Sequence, residues 1–142
     1  MGPFPHDAPK ATISTANPAG TDGFEFVEFA HPNPEELDSL FRKMGFVPVA
    51  KHKSRNVTLY RQGGINYVLN AEPDSHASQF IADHGPCAPA MGWRVVDAAH
   101  ALKRAVELGA KEYTGPGKVL DAPAVLGIGG SLLYFIDKYD DT

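Results

Sequence analysis

The chain has a single cysteine, Cys87, among 142 residues. No internal disulfide can form, so nothing requires an oxidising compartment and a cytoplasmic location is expected. The surrounding stretch GPCAPAMG is rich in proline and glycine and carries no catalytic signature, which gives Cys87 a structural rather than a nucleophilic reading. Long apolar runs are also missing. No segment approaches the roughly 20 residues that a membrane-spanning helix needs, and no membrane partner is expected. Positive charge is in deficit: 13 Lys and Arg against 17 Asp and Glu leave a net charge of −4, without the basic footprint that binds phosphate backbones. Nucleic acid is therefore not an expected partner. The basic cluster KHKSR, Lys51 to Arg55, is the local exception and reads as a solvated hairpin tip.

Familiar catalytic spacings are lacking as well. There is no GxSxG, no P-loop and no GxGxxG, and the GIGG of Gly127 to Gly130 precedes a strand rather than opening a helix. No HxH or HxxxH spacing unites the histidines: His6, His52, His76, His84 and His100 read as solvated or partly packed. His31, with Glu35 four residues on, could imitate a metal pair, but a polar strand end accounts for it. Glu35 with Glu36 sits at a helix start, and Asp140 with Asp141 at the chain end, where the helix dipole and solvent explain them. Trp93, Tyr67 and Tyr134 could line a cup for an aromatic ligand; filling a core between sheet and helix is their commoner use.

What is present is one unit written twice. Ala90 to Val96 reads as a buried strand, Asp97 as a helix N-cap, and Ala98, Leu102, Ala105 and Val106 as one helical face closed by Gly109. Earlier, Phe24 to Ala30 is a strand. Asn33 then caps, Pro34 opens the helix and Glu36 stands where a capping-box partner belongs. Leu37, Leu40, Phe41 and Met44 form the expected stripe, and Gly45 stops it. Cap and stop have the same separation in both copies, so the second follows the first by 64 positions (97 − 33).

The remaining elements repeat too. A strand Phe46 to Ala50 leads to the hairpin Asn56 to Arg61 and Ile65 to Asn70 around Gly63 and Gly64. A linking helix follows, capped by Asp74 or Ser75, with Ala77, Phe80, Ile81 and His84 on one face and Gly85 at its end. The second copy continues through an extended piece at Lys111 to Tyr113, a loop from Thr114 to Pro123, a strand near Ala124 to Ile128 and the strand SLLYFID. Tyr67 and Tyr134 correspond if one residue is inserted after the second glycine pair. Two such units cover each other's bare sheet faces. The expected fold is α+β, two βαβββ modules forming a curved mixed sheet with outer helices: a flexible arm over 1–18, a paired domain over 19–139, module one about 23–72, the linking helix about 74–85 and module two about 89–139.

This paired pattern resembles the vicinal-oxygen-chelate superfamily of glyoxalases, bleomycin-resistance proteins and extradiol dioxygenases. More specifically, GFEFVEFAHP, LFRKMGFVPVAKHKSRNVTLYRQGGINYVLNAEP, FIADHGP and GIGGSLLYFIDKY are similar to the amino-terminal half of the bacterial 4-hydroxyphenylpyruvate dioxygenase family. The similarity covers about Asn17 to Tyr139. It implies an enzyme of two tandem domains, with Fe(II) held in the second by two histidines and a carboxylate and open positions left for a 2-oxo acid and dioxygen. It also implies homogentisate and carbon dioxide as products, tyrosine catabolism as the setting, a carboxy-terminal iron domain of the same polypeptide as partner, and a homo-oligomer.

Metal-binding members of that superfamily place ligands on the first and last strands of each module. Carried through the repeat, those positions are Phe26, Tyr67, Ala90 and Tyr134, none a usual ligand for a divalent transition metal. A shift of one residue brings in Glu25, Val27, Asn66, Val68, Pro89, Met91, Leu133 and Phe135, still without a histidine. No catalytic residue, metal ligand or cofactor is therefore expected in this chain, which should be inactive alone. The alternatives are a stand-alone, metal-free binding module of bleomycin-resistance type and a glyoxalase-like lyase or isomerase, which the missing ligand quartet disfavours.

Overall fold

The unit written twice becomes two halves of one sheet in the computed structural model, which describes residues 9–139. In chain order the elements are β1 (Thr21–Ala30), α1 (Pro34–Lys43), β2 (Val47–Lys51), β3 (Val57–Gln62), β4 (Ile65–Asn70), α2 (His76–His84), β5 (Cys87–Val95), α3 (Ala98–Glu107), β6 (Ala124–Leu126) and β7 (Leu132–Ile136). The seven strands lie in the order β2-β3-β4-β1-β5-β7-β6. Within each half the first strand runs parallel to the last, β1 to β4 and β5 to β7, while β1 and β5 join the halves antiparallel. Val27 lies opposite Met91 in that join. These two residues stand at the repeat spacing of the caps, so each is the other's copy and a pseudo-twofold axis passes between them. The expected paired fold is the one found.

The copies are not equal. The counterpart of β2 in the second half is one bridge, Glu112 to Val125. Where four residues meet around the axis, bulk comes from module one and its absence from module two: Phe26 faces Gly92 and Glu28 faces Ala90. A Cβ on Gly92 would come within 2.3 Å of Phe26 Cε1.

Three clusters hold the layers together. The inner face of the sheet buries Phe26, Val57, Val68, Ala90, Ala124, Leu132 and Tyr134, and the long loop contributes Val119. Under α1 lie Phe41, Phe46, Tyr60 and Leu69, with Phe29, Leu37 and Tyr67 packed against them. Under α3 lie Val95, Ala98 and Ala101, with Phe135 beside them. Tyr67 stacks on Phe46 at 4.2 Å between ring centres, on the helix side, whereas Tyr134 is 5.8 Å from Phe26 on the inner side. Strand register explains the split: Val27 pairs with Tyr67 and Met91 with Leu133, so the structural copy of Tyr67 is Leu133 and that of Tyr134 is Val68.

The helix stripes are narrower than their apolar spacing suggests. Leu40 and Met44 are 47% and 48% exposed and Val106 is 45% exposed, because single large or well-placed side chains, Phe41 in α1 and Ala101 in α3, fill the gap to the sheet. Capping also differs between copies. Asp97 accepts from the His100 N–H at 2.8 Å, and Ser75 caps α2 by accepting from Ser78. Asn33 makes no side-chain cap bond. Its backbone N–H donates to His31 Nδ1 at 2.9 Å, which displaces Glu36 from the expected capping box; Glu36 Oε1 accepts from the Asn33 side-chain Nδ2 instead, at 3.3 Å.

Of the segment expected to be a flexible arm, residues 1–8, with His6, lie outside the described residues, as do Asp140 and Asp141. Further along, Ala11 N–H donates to Asp22 at 3.1 Å and His100 Nε2 meets the Pro18 carbonyl at 2.7 Å.

Two substitutions test this picture by urea unfolding. Asp97→Ala should cost about 1 kcal/mol and Asn33→Ala distinctly less, since only Asp97 satisfies a helix amide. Gly92→Ala should cost about 1–3 kcal/mol through the clash with Phe26; an unchanged midpoint would mean that the ring does not lie over Gly92.

Candidate functional site

The open concavity of the sheet is a cup of about 510 Å³ on the inner face of module one. Strand alternation places Val57, Leu59 and Arg61 of β3 and Asn66 and Val68 of β4 on that face. A bulge in β1 between Phe24 and Phe26 turns Glu25 inward beside Phe26. The opposite wall is the loop at Leu120 to Pro123 and the end of β7.

One side of the cup carries an ordered polar chain. Arg61 Nε donates to Asn66 Oδ1 at 2.8 Å, Asn66 Nδ2 donates to the Glu25 carbonyl at 3.0 Å, and Arg94 Nε donates to the Glu25 carboxylate at 2.6 Å. Arg61 and Asn66 face each other because the two-residue turn at Gly63 and Gly64 fixes the hairpin register. That signal is in the sequence, but Arg61 does not stand out as a site candidate there, and Asn66 enters only as a neighbour of the former ligand positions. Lys51 and His52, from the basic cluster, reach the rim.

Of the four positions carried over from the superfamily, Phe26, Ala90 and Tyr134 meet in the inner cluster while Tyr67 lies across the sheet under α1. The inner residue of β4 at that level is Val68. Phenylalanine, valine and alanine offer no donor, and burial pushes the Tyr134 hydroxyl well above its usual range, helped by the nearby Glu28 charge. Among the described residues no three His, Cys, Asp or Glu side chains gather as a metal site. The donor set at these positions does not fit Fe(II).

The described histidines are each engaged locally. His31 Nε2 approaches Glu36 at 3.4 Å, His52 accepts from Ser54, His76 meets the Gly130 carbonyl and His84 the Phe80 carbonyl. Trp93 packs on Phe24 at 4.2 Å between ring centres. Trp93, Tyr67 and Tyr134 all lie outside the cup lining. The Cys87 thiol is pushed up by burial first and by the Glu28 charge second, so it is a poor thiolate.

Glu28 itself was not singled out by the sequence reading, although alternation from Phe26 puts it on the inner face. It is 2% exposed, and burial pushes its carboxyl up to about 7. Asn70, also 2% exposed, opposes that rise without completing a bond: among the described residues Glu28 Oε1 and Asn70 Nδ2 both lack a hydrogen-bond partner. Across the join stands Ala90, which offers nothing polar from its side chain.

A family model described as "Hydroxyphenylpyruvate dioxygenase, HPPD, N-terminal" matches residues 15–142. The chain is 53% identical over 133 residues to "Hemolysin VllY" of Vibrio vulnificus (strain CMCP6), covering 89% of this chain and 37% of that one. It is 52% identical over 128 residues to a 4-hydroxyphenylpyruvate dioxygenase of Pseudomonas sp. (strain P.J. 874), covering 88% and 36%. A solved "xylose isomerase-like TIM barrel/4-hydroxyphenylpyruvate dioxygenase fusion protein" superposes with a TM-score of 0.78 at 37% identity, covering 92% of this chain and 20% of that one. The chain thus spans little more than a third of the length of the two relatives.

The buried carboxyl links stability to pH. Folded Glu28 keeps its proton to about pH 7, whereas an unfolded one releases it near 4.5. The folded state is therefore favoured fully below about pH 4.5, loses that advantage as pH rises through the interval, and reaches its floor above about pH 7, a fall of about 3 kcal/mol from this group. Urea unfolding of Glu28→Gln beside the parent at pH 5, 6, 7 and 8 should show the variant gaining on the parent as pH rises. Parallel profiles would place Glu28 in a solvated environment.

Proposed function

The chain belongs to the hydroxyphenylpyruvate dioxygenase family, whose amino-terminal domain it matches, and from that premise we propose that it is the non-catalytic half of an Fe(II)-dependent 4-hydroxyphenylpyruvate dioxygenase. The whole enzyme would convert 4-hydroxyphenylpyruvate and dioxygen to homogentisate and carbon dioxide in tyrosine catabolism. Its iron would sit in a carboxy-terminal domain of the same polypeptide. The role of this half is to support that domain and to contribute to contacts in a homo-oligomer. A cytoplasmic location is part of the proposal, supported by the lone Cys87 and by the fact that no helix among the described residues is long and apolar enough to cross a membrane.

The observation that carries this reading is the pairing of a family match over residues 15–142 with an inner face whose would-be ligand positions are Phe26, Val68, Ala90 and Tyr134. No side chain there supplies the two nitrogens and one carboxylate that the iron chemistry needs. No step of the reaction is assigned to this chain. The open cup supports a second reading, a metal-free module that binds a small molecule.

Metal analysis and oxygen uptake test the first reading. After incubation with Fe(II) and desalting, the purified chain should retain far less than one iron per molecule and show no uptake above buffer with 4-hydroxyphenylpyruvate. Stoichiometric iron or measurable turnover would refute it. The coding sequence beyond Thr142 separates the two readings: a continuing frame with two histidines and a glutamate supports the dioxygenase, a stop codon the binding module.

A further inference from the structure

We infer that the cup on module one is a binding site for a small monocarboxylate with an apolar body of about ring size, and that Arg61 receives the carboxylate. The inference deepens the second reading of the cup and does not depend on the dioxygenase assignment.

Charge accounting on the cup wall leads to the anion. Of the lining carboxylates, Glu25 is taken at 2.6 Å by Arg94, which stands outside the lining, and Asp121 and Asp137 lie on the opposite wall. Arg61 is bonded through Nε to the neutral amide of Asn66. Among the described residues no carboxylate pairs with it. Its charge lies beside apolar surface, where an opposite charge is worth more than in open water.

Geometry narrows the anion to a carboxylate. Asn66 is 9% exposed and is itself held by the Glu25 carbonyl, so the bond from Arg61 Nε fixes the plane of the guanidinium and leaves both Nη groups without a partner among the described residues. Two parallel N–H donors in a rigid plane match the two oxygens of a carboxylate. A doubly charged phosphate would meet one guanidinium, with Asp121 and Asp137 also on the lining.

The body of the ligand follows from the floor. Phe26, Val57, Leu59 and Val68 line it, and Leu120 and Ile136 face them across about 510 Å³, a volume within the range of small-molecule sites. An apolar ring or a short branched chain would cover these side chains while its carboxylate stays at Arg61. The site reaches from the pseudo-twofold axis outward onto module one: Phe26 and Val68 line its floor, while Ala90 and Tyr134 lie outside the lining.

Cyclohexylacetate and its uncharged counterpart cyclohexylacetamide, each titrated into the ¹⁵N-labelled chain, test the inference by amide chemical shifts. Cyclohexylacetate should move the amides of Phe26, Val57, Leu59 and Val68 saturably, with the amide probe and the Arg61→Gln variant each binding at least about tenfold more weakly. Arg61→Lys should fall between, keeping the charge and losing the fork. If the amide probe binds as well as the acid, the carboxylate assignment is overturned while the cup remains a binding site. If neither probe shifts those amides, both the inference and the binding-module reading fail. The comparison of the two probes on the unmodified chain needs no variant to fold.

Discussion

The structure depends on the antiparallel join of β1 and β5, in which side chains of one module occupy space that the other leaves empty. Phe26 can lie flat against the sheet because its partner is Gly92, and Glu28 is enclosed opposite Ala90. Two copies of a βαβββ unit would meet symmetrically if their sequences were equal. Here the first strand of module one carries FVEFA where that of module two carries AMGWR, so symmetry of backbone coexists with asymmetry of filling. Close packing enforces the choice, since two bulky rows facing each other across the axis would overpack the inner face.

That join also decides where chemistry can happen. The inner positions nearest the axis are occupied by a phenylalanine ring, a valine, an alanine and a tyrosine whose hydroxyl holds its proton tightly. The remaining open space is displaced onto module one, between the β3–β4 hairpin and the end of β7. The polar chain Arg61, Asn66, Glu25 and Arg94 borders that space. Glu28 is a different kind of polar group. Enclosed, with one oxygen and the neighbouring Asn70 amide unpartnered, it costs stability once ionised and marks the place where the inner packing is least satisfied.

Most of the architecture was legible in the sequence because it rests on local chemistry. Asp97 caps and Gly109 stops α3 as their types dictate, and the paired glycines after Gln62 set the hairpin register. What was not legible depends on packing between segments. The alignment of Tyr67 with Tyr134 followed residue identity, whereas the ladder pairs Tyr67 with Val27 and puts Leu133 in the equivalent place; one position along a strand exchanges its two faces. Leu40 and Met44 have helical spacing but stay about half exposed, since the Phe41 ring, with Leu37 beside it, spans the distance to Tyr60 and Tyr67. Glu36 was denied its capping box by His31, a competitor three residues before the helix that no pairwise motif includes. Glu28 and Arg61 were visible as types and faces, but their significance lies in what surrounds them, which only the assembled sheet provides.

The most direct test of the account is the environment of Gly92. A phenyl ring held against its Cα shields the protons there, so the Gly92 Hα resonances should lie upfield of their ordinary range, show nuclear Overhauser contacts to the Phe26 ring, and move back when Phe26 is replaced by leucine. Ordinary Gly92 shifts without contacts to Phe26 would contradict the account, because the axis would then be open and the reason for displacing the cup onto module one would be gone.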